Sequence, residues 1–451
     1  MSVDLIRHYG TSAGRDSDAL IDSQAADGLV DEPLRYKFFN GLFHWVTGYI
    51  RDIVQRSLPT DATELDCIKG LFTQSNSCHS AFDTRNRITA STFGVPNDLS
   101  YTRIDGARYL LAAVDGVNIY DIDNMVEGSQ VSIATLLVGL PGTLSTDIEV
   151  LSLCNDGEFA YLLIKAGDPD PDEFYVQSYR LSDWAVNPSW PATGVQLDSY
   201  ATSFETFYCK LRFADDTRLF VTQPWVTPAS SPAVRIITAE DGTIEGSRTI
   251  TAGQIKDACA NGDYIFAVHD DGSGNIAVTD IDIDTPAAGT GWTWGGSSAP
   301  TISVSAFTGV AACGDTIVYT ATDDVVAFNT IYGGTAHGVS GNADLLEFIY
   351  QVVTDGKHFY ALGARESTGT ASAVKALYRL DFVDWAGFNT GADPYYEAIT
   401  DMEERVTLFK IPDDIEVDRD GGDHVLLLSD GPDIWMHAGS GSIVRTRKVA
   451  K

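Results

Sequence analysis

Two acidic clusters have the residue types and the spacing that a calcium ion requires. Carboxylates alternate along residues 168–173 and again along residues 418–423, as they do at the first ligand positions of a calcium-binding loop. Neither cluster continues into a complete loop ending in a ligating Glu, so solvated acidic loops are the alternative. The candidate calcium ligands are Asp168, Asp170, Asp172, Asp418, Asp420 and Asp423. No other cofactor is expected.

A third acidic group consists of Asp280, Asp282 and Asp284, whose alternation would place the carboxylates on one face of a strand or at its end. The six cysteines have no metal-ligand spacing, and those in the repeats described below lie in or beside strand-like pieces, which indicates buried, reduced thiols. The eight histidines show neither paired metal spacing nor a nucleophile motif. The sequence therefore predicts no active site.

Carbohydrate chemistry is the remaining candidate. Hydrolysis of a glycan needs two carboxylates in one cleft, and no pair stands out among the 63 acidic residues. Glycan binding needs exposed aromatic rings, and Trp184, Trp190, Trp225 and the two Trp of segment 291–295 fall in or near connections. The alternative, which we favour, is that these rings fill space between neighbouring layers of strands.

The elements that would position such residues repeat along the chain. Seven times a short polar turn, usually with Asp and Gly, runs directly into an apolar segment. Strand-like pieces, most with alternating apolar and polar residues, flank these segments. The reference positions, which are separated by 51, 59, 46, 52, 42 and 66 residues, are Gly106, Gly157, Asp216, Gly262, Gly314, Gly356 and Gly422. One doubly buried strand in each period predicts a β-propeller; a pair of β-sandwiches is the alternative.

The predicted fold is therefore all-β, with a seven-bladed β-propeller formed by residues 61–451. The strand-like pieces at 67–72 and 87–90 leave the count open, because they would either complete the last blade or form an eighth. A blade exposes two apolar faces, so blades must stack on one another to bury them.

The charge of the chain limits its partners. Lys and Arg total 30 against 63 Asp and Glu, which gives a net charge of −33. Such a surface repels nucleic acid and anionic membranes, so we expect no nucleic-acid binding; solubility alone is the simplest explanation of the charge. No run of apolar residues is long enough for a membrane span, and the N-terminus lacks the apolar stretch of a secretion signal.

The first 60 residues depart from the repeat. Residues 1–30 are polar and predict an extended arm, whereas 31–60 predict an amphipathic helix that Asp31 caps and Pro33 begins. The apolar stripe of this helix is Phe39, Phe43, Val46, Ile50 and Ile53, with Trp45 beside it. The stripe must pack on the propeller, on another subunit or on both.

This segment resembles one that is common near the N-termini of bacteriophage tail-fibre and related virion proteins. The run Glu32–Phe43, followed by Trp45, Tyr49, Ile50 and Ile53, carries the resemblance. In that family a Pro is followed by an Asn amid aromatic and Leu residues, and then by an amphipathic helix that serves oligomerisation or attachment. The resemblance implies a location in the virion and contacts with other virion proteins through residues 1–56.

We therefore expect a non-enzymatic structural protein of a phage tail or neck, present as a homo-oligomer and contacting the host surface, including its glycans, through propeller loops. A glycan-degrading propeller carried on the same particle is one alternative. A cellular binding module without a viral connection is the other.

Overall fold

The computed structural model describes residues 87–89, 96–142, 148–166, 173–197, 208–223, 232–250, 253–286, 293–294, 303–314, 316–321, 325–329, 336–339, 348–356, 359–365, 374–380, 407–410, 426–430, 433–438 and 442–447. All of them belong to the second of two compact units, which comprises Asn76–Lys451. The predicted arm and helix of residues 1–60 lie outside the described residues.

Seven four-stranded antiparallel sheets are formed by the described residues. The first sheet contains β2 (Asp98–Ile104), β3 (Ala107–Ala113), β4 (Val117–Asp121) and β5 (Val126–Val131). The second contains β6 (Ile148–Asn155), β7 (Phe159–Ala166), β8 (Glu173–Arg180) and β9 (Val195–Gln196). The third contains β10 (Leu211–Phe213), β11 (Arg218–Gln223), β12 (Ala233–Thr238) and β13 (Ile244–Thr249).

The next three sheets repeat this order. The fourth contains β14 (Ile255–Asn261), β15 (Tyr264–Asp270), β16 (Ile276–Asp282) and β17 (Thr293–Trp294). The fifth contains β18 (Phe307–Cys313), β19 (Thr316–Ala321), β20 (Val325–Asn329) and β21 (Ala336–Val339). The sixth contains β22 (Phe348–Thr354), β23 (Phe359–Arg365), β24 (Val374–Leu380) and β25 (Thr407–Lys410).

The seventh sheet combines distant parts of the chain. It consists of β26 (Leu426–Asp430), β27 (Asp433–Ala438) and β28 (Ser442–Arg447), with β1 (Arg87–Thr89) as its fourth strand. Strand β1 pairs with β28 in antiparallel register, with Ile88 opposite Ile443. Of the two predicted uses of residues 87–90, completion of the last sheet is therefore the one observed. A short helix α1 (Ile133–Leu137) and a 3-10 turn (Val304–Ala306) are the helical elements bounded within the described residues.

The turn between the first two strands of a sheet explains why the sequence repeats there. Gly106, Gly157, Gly262, Gly314 and Gly356 all have positive φ, between 55° and 93°. A residue with a β-carbon rarely adopts this conformation, so Gly is the residue that allows the tight reversal. The acidic residue before it often closes the turn, as in the second sheet, where the Asp156 carboxylate accepts hydrogen bonds from the backbone amides two and three residues later.

Buried apolar side chains fill the space between consecutive sheets, as in a propeller. The first and second sheets share a core that includes Leu111, Val117, Leu153 and Leu162. Equivalent cores join the second sheet to the third, the third to the fourth, the fourth to the fifth, and the seventh to the first. Each large apolar side chain that is fully buried there contributes about 1.5–3 kcal/mol. The fold is all-β with blades in a propeller arrangement.

The first strands of the sheets, β2, β6, β10, β14, β18, β22 and β26, are called the inner strands below. Among the described residues, no helix has the length and apolar character needed to cross a membrane.

Candidate functional site

The residues that the sequence singles out for binding lie mostly outside the described part of the chain. These are the apolar stripe with its neighbouring Trp (Phe39, Phe43, Trp45, Val46, Ile50 and Ile53) and the candidate calcium ligands (Asp168, Asp170, Asp172, Asp418, Asp420 and Asp423). Both remain predictions.

The third acidic group is described, and its members do not converge. Asp280 is buried in β16, whereas the Asp282 carboxylate accepts hydrogen bonds from the backbone amides of Asp284 and Thr285. Asp284 pairs with Arg218 of the third sheet at 2.7 Å. The three carboxylates therefore have separate environments: Asp280 is buried, Asp282 closes a turn and Asp284 binds Arg218 of the neighbouring sheet. Within the ranges described above, no three His, Cys, Asp or Glu residues are arranged to hold a metal ion.

Two of the tryptophans that the sequence places in or near connections, Trp184 and Trp190, lie in the described part of the chain. Trp190 is buried between the second and third sheets, and its Nε1 donates a hydrogen bond to the carbonyl oxygen of Ala239 at 2.8 Å. Trp184 is half-buried and packs against the core of the first and second sheets. Both rings fill space between sheets, which confirms the interpretation favoured for them. Trp225 and Trp292 lie outside the described residues.

One polar site of the described structure is a cavity of about 440 Å³ that is lined by residues of all seven inner strands or directly before them. We call it the inner cavity. Its charged lining residues are Asp98, Lys210, Arg212 and Asp257. A cavity of this size with a few convergent polar groups of shifted pKa is the usual form of a ligand site, so each charged group is considered below.

Asp98 and Arg212 form an ion pair that spans three sheets. The guanidinium of Arg212, from the third sheet, donates from both terminal nitrogens to the two carboxylate oxygens of Asp98, at 2.5 and 2.7 Å. Ser152, from the second sheet, donates its hydroxyl to the same carboxylate at 2.5 Å. Burial alone would favour the protonated acid, but the guanidinium keeps the pKa of Asp98 below its ordinary value.

A second set of bonds joins three of the inner strands to the strand that follows in the next sheet. The Asp98 carboxylate accepts from the backbone amide of Leu153, and the Ser152 hydroxyl accepts from that of Leu211. The Asp257 carboxylate accepts from the amide of Val310, in a longer bond of 3.4 Å. Asp98, Ser152 and Asp257 thus hold equivalent positions, and each supplies an acceptor to the following sheet.

We call these and their equivalents the junction positions: Asp98, Ser152, Lys210, Asp257, Gly309 and Gln351. In four inner strands the junction residue directly follows a register shift, a β-bulge between residues 150 and 152, 255 and 257, 307 and 309, or 349 and 351. A bulge re-aims the side chain that follows it, which explains why polar residues at these positions meet around the inner cavity.

Lys210 and Asp257 are adjacent junction residues with charges less fully compensated than those of Asp98 and Arg212. Within the described residues, the Lys210 ammonium makes neither a hydrogen bond nor an ion pair. Asp257 accepts hydrogen bonds from two backbone amides, those of Ala258 and Val310, and pairs with no cation there. Burial raises the pKa of Asp257, although the charges of Lys210 and Arg212 oppose that shift.

The cysteines of the cavity are not nucleophiles. Cys154 and Cys259 line it as uncombined thiols, and burial raises the pKa of both well above the ordinary value. At neutral pH such thiols stay protonated and behave as small apolar side chains. The prediction of buried, reduced thiols is confirmed for Cys154 and Cys209, whereas Cys259 and Cys313 are free thiols of intermediate burial.

Sequence reasoning missed the junction positions, although a signal was present. Ser152, Asp257, Gly309 and Gln351 each precede the reference Gly of their repeat by five residues. Aligning the repeats on that Gly would have shown small or polar residues recurring within apolar strands. A polar residue that recurs at a buried strand position needs a structural or functional reason.

No protein-family model matches the chain, and no curated protein sequence matches it. Solved structures similar to it include a chain of the Mitotic Checkpoint Complex, 12% identical over 80% of this chain and 93% of that one, with a TM-score of 0.48. The computationally designed Ika8 protein is 11% identical over 80% and 99%, with a TM-score of 0.44. BamB from Moraxella catarrhalis is 12% identical over 78% and 83%, with a TM-score of 0.40. Such low identities bear on the fold alone and on no function.

Proposed function

We propose that this chain is a non-enzymatic structural protein of a bacteriophage tail or neck, in which a seven-bladed propeller is attached to the particle through residues 1–56. The observation that carries the proposal is the segment Glu32–Phe43 with the apolar stripe that follows it, because it resembles the attachment segment of tail-fibre and related virion proteins. The proposal also assigns host-surface contact to the propeller's connecting loops.

The proposal of seven blades rests on the order of the sheets. Seven four-stranded sheets follow one another along the chain, and the seventh shares an apolar core with the first. Strand β1 enters that seventh sheet beside the C-terminal strand β28. Joining early and late strands in one sheet ties the two ends of the repeat region together, which is how a closed array avoids exposed sheet edges.

A scaffold role for the propeller is supported by what its buried polar groups do. Asp98, Ser152 and Asp257 bind backbone amides of neighbouring sheets, and Arg212 neutralises Asp98. These groups are used to hold sheets together. A rigid body that presents loops is suited to attachment and recognition.

The test compares two substitutions in the predicted helix. Ile50→Asp places a charge in the apolar stripe, whereas Gln55→Asp introduces the same residue on the opposite face of the predicted helix, five positions further along the chain. Particles assembled with each variant are purified on a density gradient, and the chain is quantified by immunoblotting. We expect Ile50→Asp to reduce incorporation at least tenfold and Gln55→Asp to leave it unchanged.

Circular dichroism and thermal unfolding of both variants verify that the propeller is still folded. Equal incorporation of the two variants, or absence of the unmodified chain from purified particles, would contradict the proposal. Release of reducing sugar from host polysaccharide by the unmodified chain would favour the glycan-degrading alternative.

A further inference from the structure

The inner cavity contains two opposite charges that the scaffold leaves available. Of its four charged lining residues, Asp98 and Arg212 satisfy each other through two hydrogen bonds. The two others, Lys210 and Asp257, occupy adjacent junction positions on the third and fourth sheets. Their environments decide what the cavity can bind.

The charge of Arg212 is already compensated by Asp98. Both of its terminal nitrogens donate to Asp98, and one of them also lies within hydrogen-bonding distance of the Ser152 hydroxyl and the carbonyl oxygens of Leu153 and Leu211. A ligand would have to displace a bidentate pair whose carboxylate is 4% exposed.

Lys210 has the opposite character. Its backbone is fixed, since its amide donates to the Thr222 hydroxyl and its carbonyl oxygen accepts from the Thr222 amide. Its ammonium carries three donors, and it forms no hydrogen bond or ion pair among the described residues. A fixed backbone with an uncommitted ammonium on a cavity wall is suited to bind a ligand carboxylate.

Asp257 complements Lys210. Each of its oxygens accepts one backbone amide, which leaves each with a further acceptor position. The side chain is buried, with 8% of the residue exposed, so its charge lacks the solvation that water would provide. A bound ammonium group would supply the missing positive charge.

Charge balance selects among ligands. A simple anion on Lys210 would be repelled by Asp257, and a simple cation on Asp257 would be repelled by Lys210. A molecule that carries both charges satisfies both groups and keeps the cavity neutral. We propose that the inner cavity binds a small zwitterion of the α-amino-acid type, with its carboxylate on Lys210 and its ammonium on Asp257.

The other residues that line the cavity indicate which kind of side chain the ligand carries. Besides the charged groups, the lining includes the apolar residues Leu99, Val310, Val352, Leu426 and Leu427 and the polar residues Gln351, Thr354 and Ser429. A volume of about 440 Å³ lies within the usual range for small-molecule sites and exceeds what the two charged groups of an amino acid require. Because apolar residues outnumber polar ones in the lining, we expect the ligand to carry an apolar side chain.

The experiment uses the full chain and isothermal titration calorimetry at pH 7. The zwitterions are L-leucine, L-isoleucine, L-valine, L-methionine and L-phenylalanine. For L-leucine, the single-charge analogues are leucinamide, which retains the cation, and 4-methylpentanoate, which retains the anion. We expect at least one of the five zwitterions to bind. We also expect leucinamide and 4-methylpentanoate to bind about tenfold to a hundredfold more weakly than L-leucine, because each loses one charged hydrogen-bonding partner.

Two cavity variants and a surface control locate the site. Lys210→Met and Asp257→Asn should each weaken binding of the zwitterion at least tenfold. Asp123→Asn, which removes an exposed partner of Arg108 on the first sheet, should leave it unchanged. Thermal unfolding of each variant establishes that it is folded under the assay conditions.

Three results would overturn the proposal: no binding by any of the five amino acids, equal binding by the single-charge analogues, or equal binding by the Lys210→Met and Asp257→Asn variants. Preferential binding of 4-methylpentanoate would indicate an anion site instead, and preferential binding of leucinamide a cation site. None of these results depends on whether the chain is a virion component.

Discussion

Asp98 and Asp257 occupy equivalent places in the first and fourth sheets and make the same backbone contacts. One oxygen of each accepts the amide of the next residue, Leu99 or Ala258, and the other accepts an amide of the following sheet. They differ in their charged surroundings. Asp98 has the guanidinium of Arg212, whereas Asp257 has no cation paired with it in the described structure.

As a consequence, the pKa values of these two equivalent carboxyl groups are shifted in opposite directions. The pKa of Asp98 is lowered by Arg212 despite burial, while burial raises that of Asp257. The comparison separates two roles of a buried carboxylate. Joining neighbouring sheets needs only an acceptor, whereas the ion pair locks the first three sheets together. The site that lacks the ion pair is the one left for a ligand.

Of the substitutions that test this comparison, removal of Arg212 should change the free energy of unfolding most. In the Arg212→Met variant, Asp98 stays buried without its cation, and we expect the free energy of unfolding to fall by about 3 kcal/mol at pH 7. Urea denaturation measures the change. The double variant Arg212→Met with Asp98→Asn should recover part of it, because no unpaired charge remains. A loss below about 0.5 kcal/mol in Arg212→Met would show that the pair adds little beyond the backbone contacts.

His437 also makes stability depend on pH in the acid range, so its contribution must be separated from that of the carboxylates. This residue of β27 is fully buried, neither ring nitrogen has a hydrogen-bond partner among the described residues, and burial lowers its pKa to about 4. The unfolded chain binds that proton near pH 6.5, so stability should fall as the pH drops from 6.5 towards 4. Relative to the unmodified chain, His437→Leu should retain roughly 2 kcal/mol more of its neutral-pH stability at pH 5. Urea denaturation at pH 7 and 5 tests this, and identical losses in both proteins would contradict it.

Ser152 tests the inter-sheet contact without changing a charge. In the Ser152→Ala variant, the amide of Leu211 loses its acceptor and Asp98 loses a donor. We expect a loss of about 1–2 kcal/mol in urea denaturation, because a buried amide is left unsatisfied. Ser100→Ala is the control, since that hydroxyl accepts a side-chain bond from Asn155 in a half-buried site. Equal losses in the two variants would mean that the hydrogen bonds at the junction position contribute no more to stability than an ordinary half-buried hydrogen bond.

Asp257→Asn should have the smallest effect at neutral pH, a change below about 1 kcal/mol, because the charge that it removes lacks a paired cation. Since the folded-state pKa of Asp257 is raised, the native carboxyl keeps its proton to a higher pH than the unfolded one. Ionisation therefore lowers stability as the pH rises above about 4. The variant should escape that loss. Urea denaturation between pH 4 and 7 tests the direction, and a variant that becomes relatively less stable as the pH rises would contradict it.

Much of the fold could be predicted from particular residues. The turn at Gly157 and the apolar run after it identify a hairpin that ends in a doubly buried strand, and the same pattern recurs at Gly262 and Gly314. Arg87–Thr89 was also recognisable as a strand, although its partner β28 lies more than 350 residues away in sequence. Local patterns specify a strand, whereas its partner depends on contacts between distant residues.

The candidate site could not be predicted in the same way. Asp280, Asp282 and Asp284 alternate as ligands might be expected to, yet each is used separately. Asp98, Ser152 and Arg212 show no shared motif, because they lie on three sheets and more than 50 residues separate each from the next. A chemical cluster formed across sheets has no spacing rule along the chain.

By itself the sequence determined the class of fold and the position of its turns, because backbone conformation at Gly and the alternation of apolar residues are local properties. It also supplied the resemblance of segment 32–56 to virion attachment segments. Only the tertiary structure decided which polar residues face one cavity, and that Arg212 neutralises Asp98 while Asp257 has no paired cation among the described residues. The reason is that packing sheet against sheet brings residues together whatever their separation along the chain, and removal from water then shifts their pKa values according to the neighbours that packing provides.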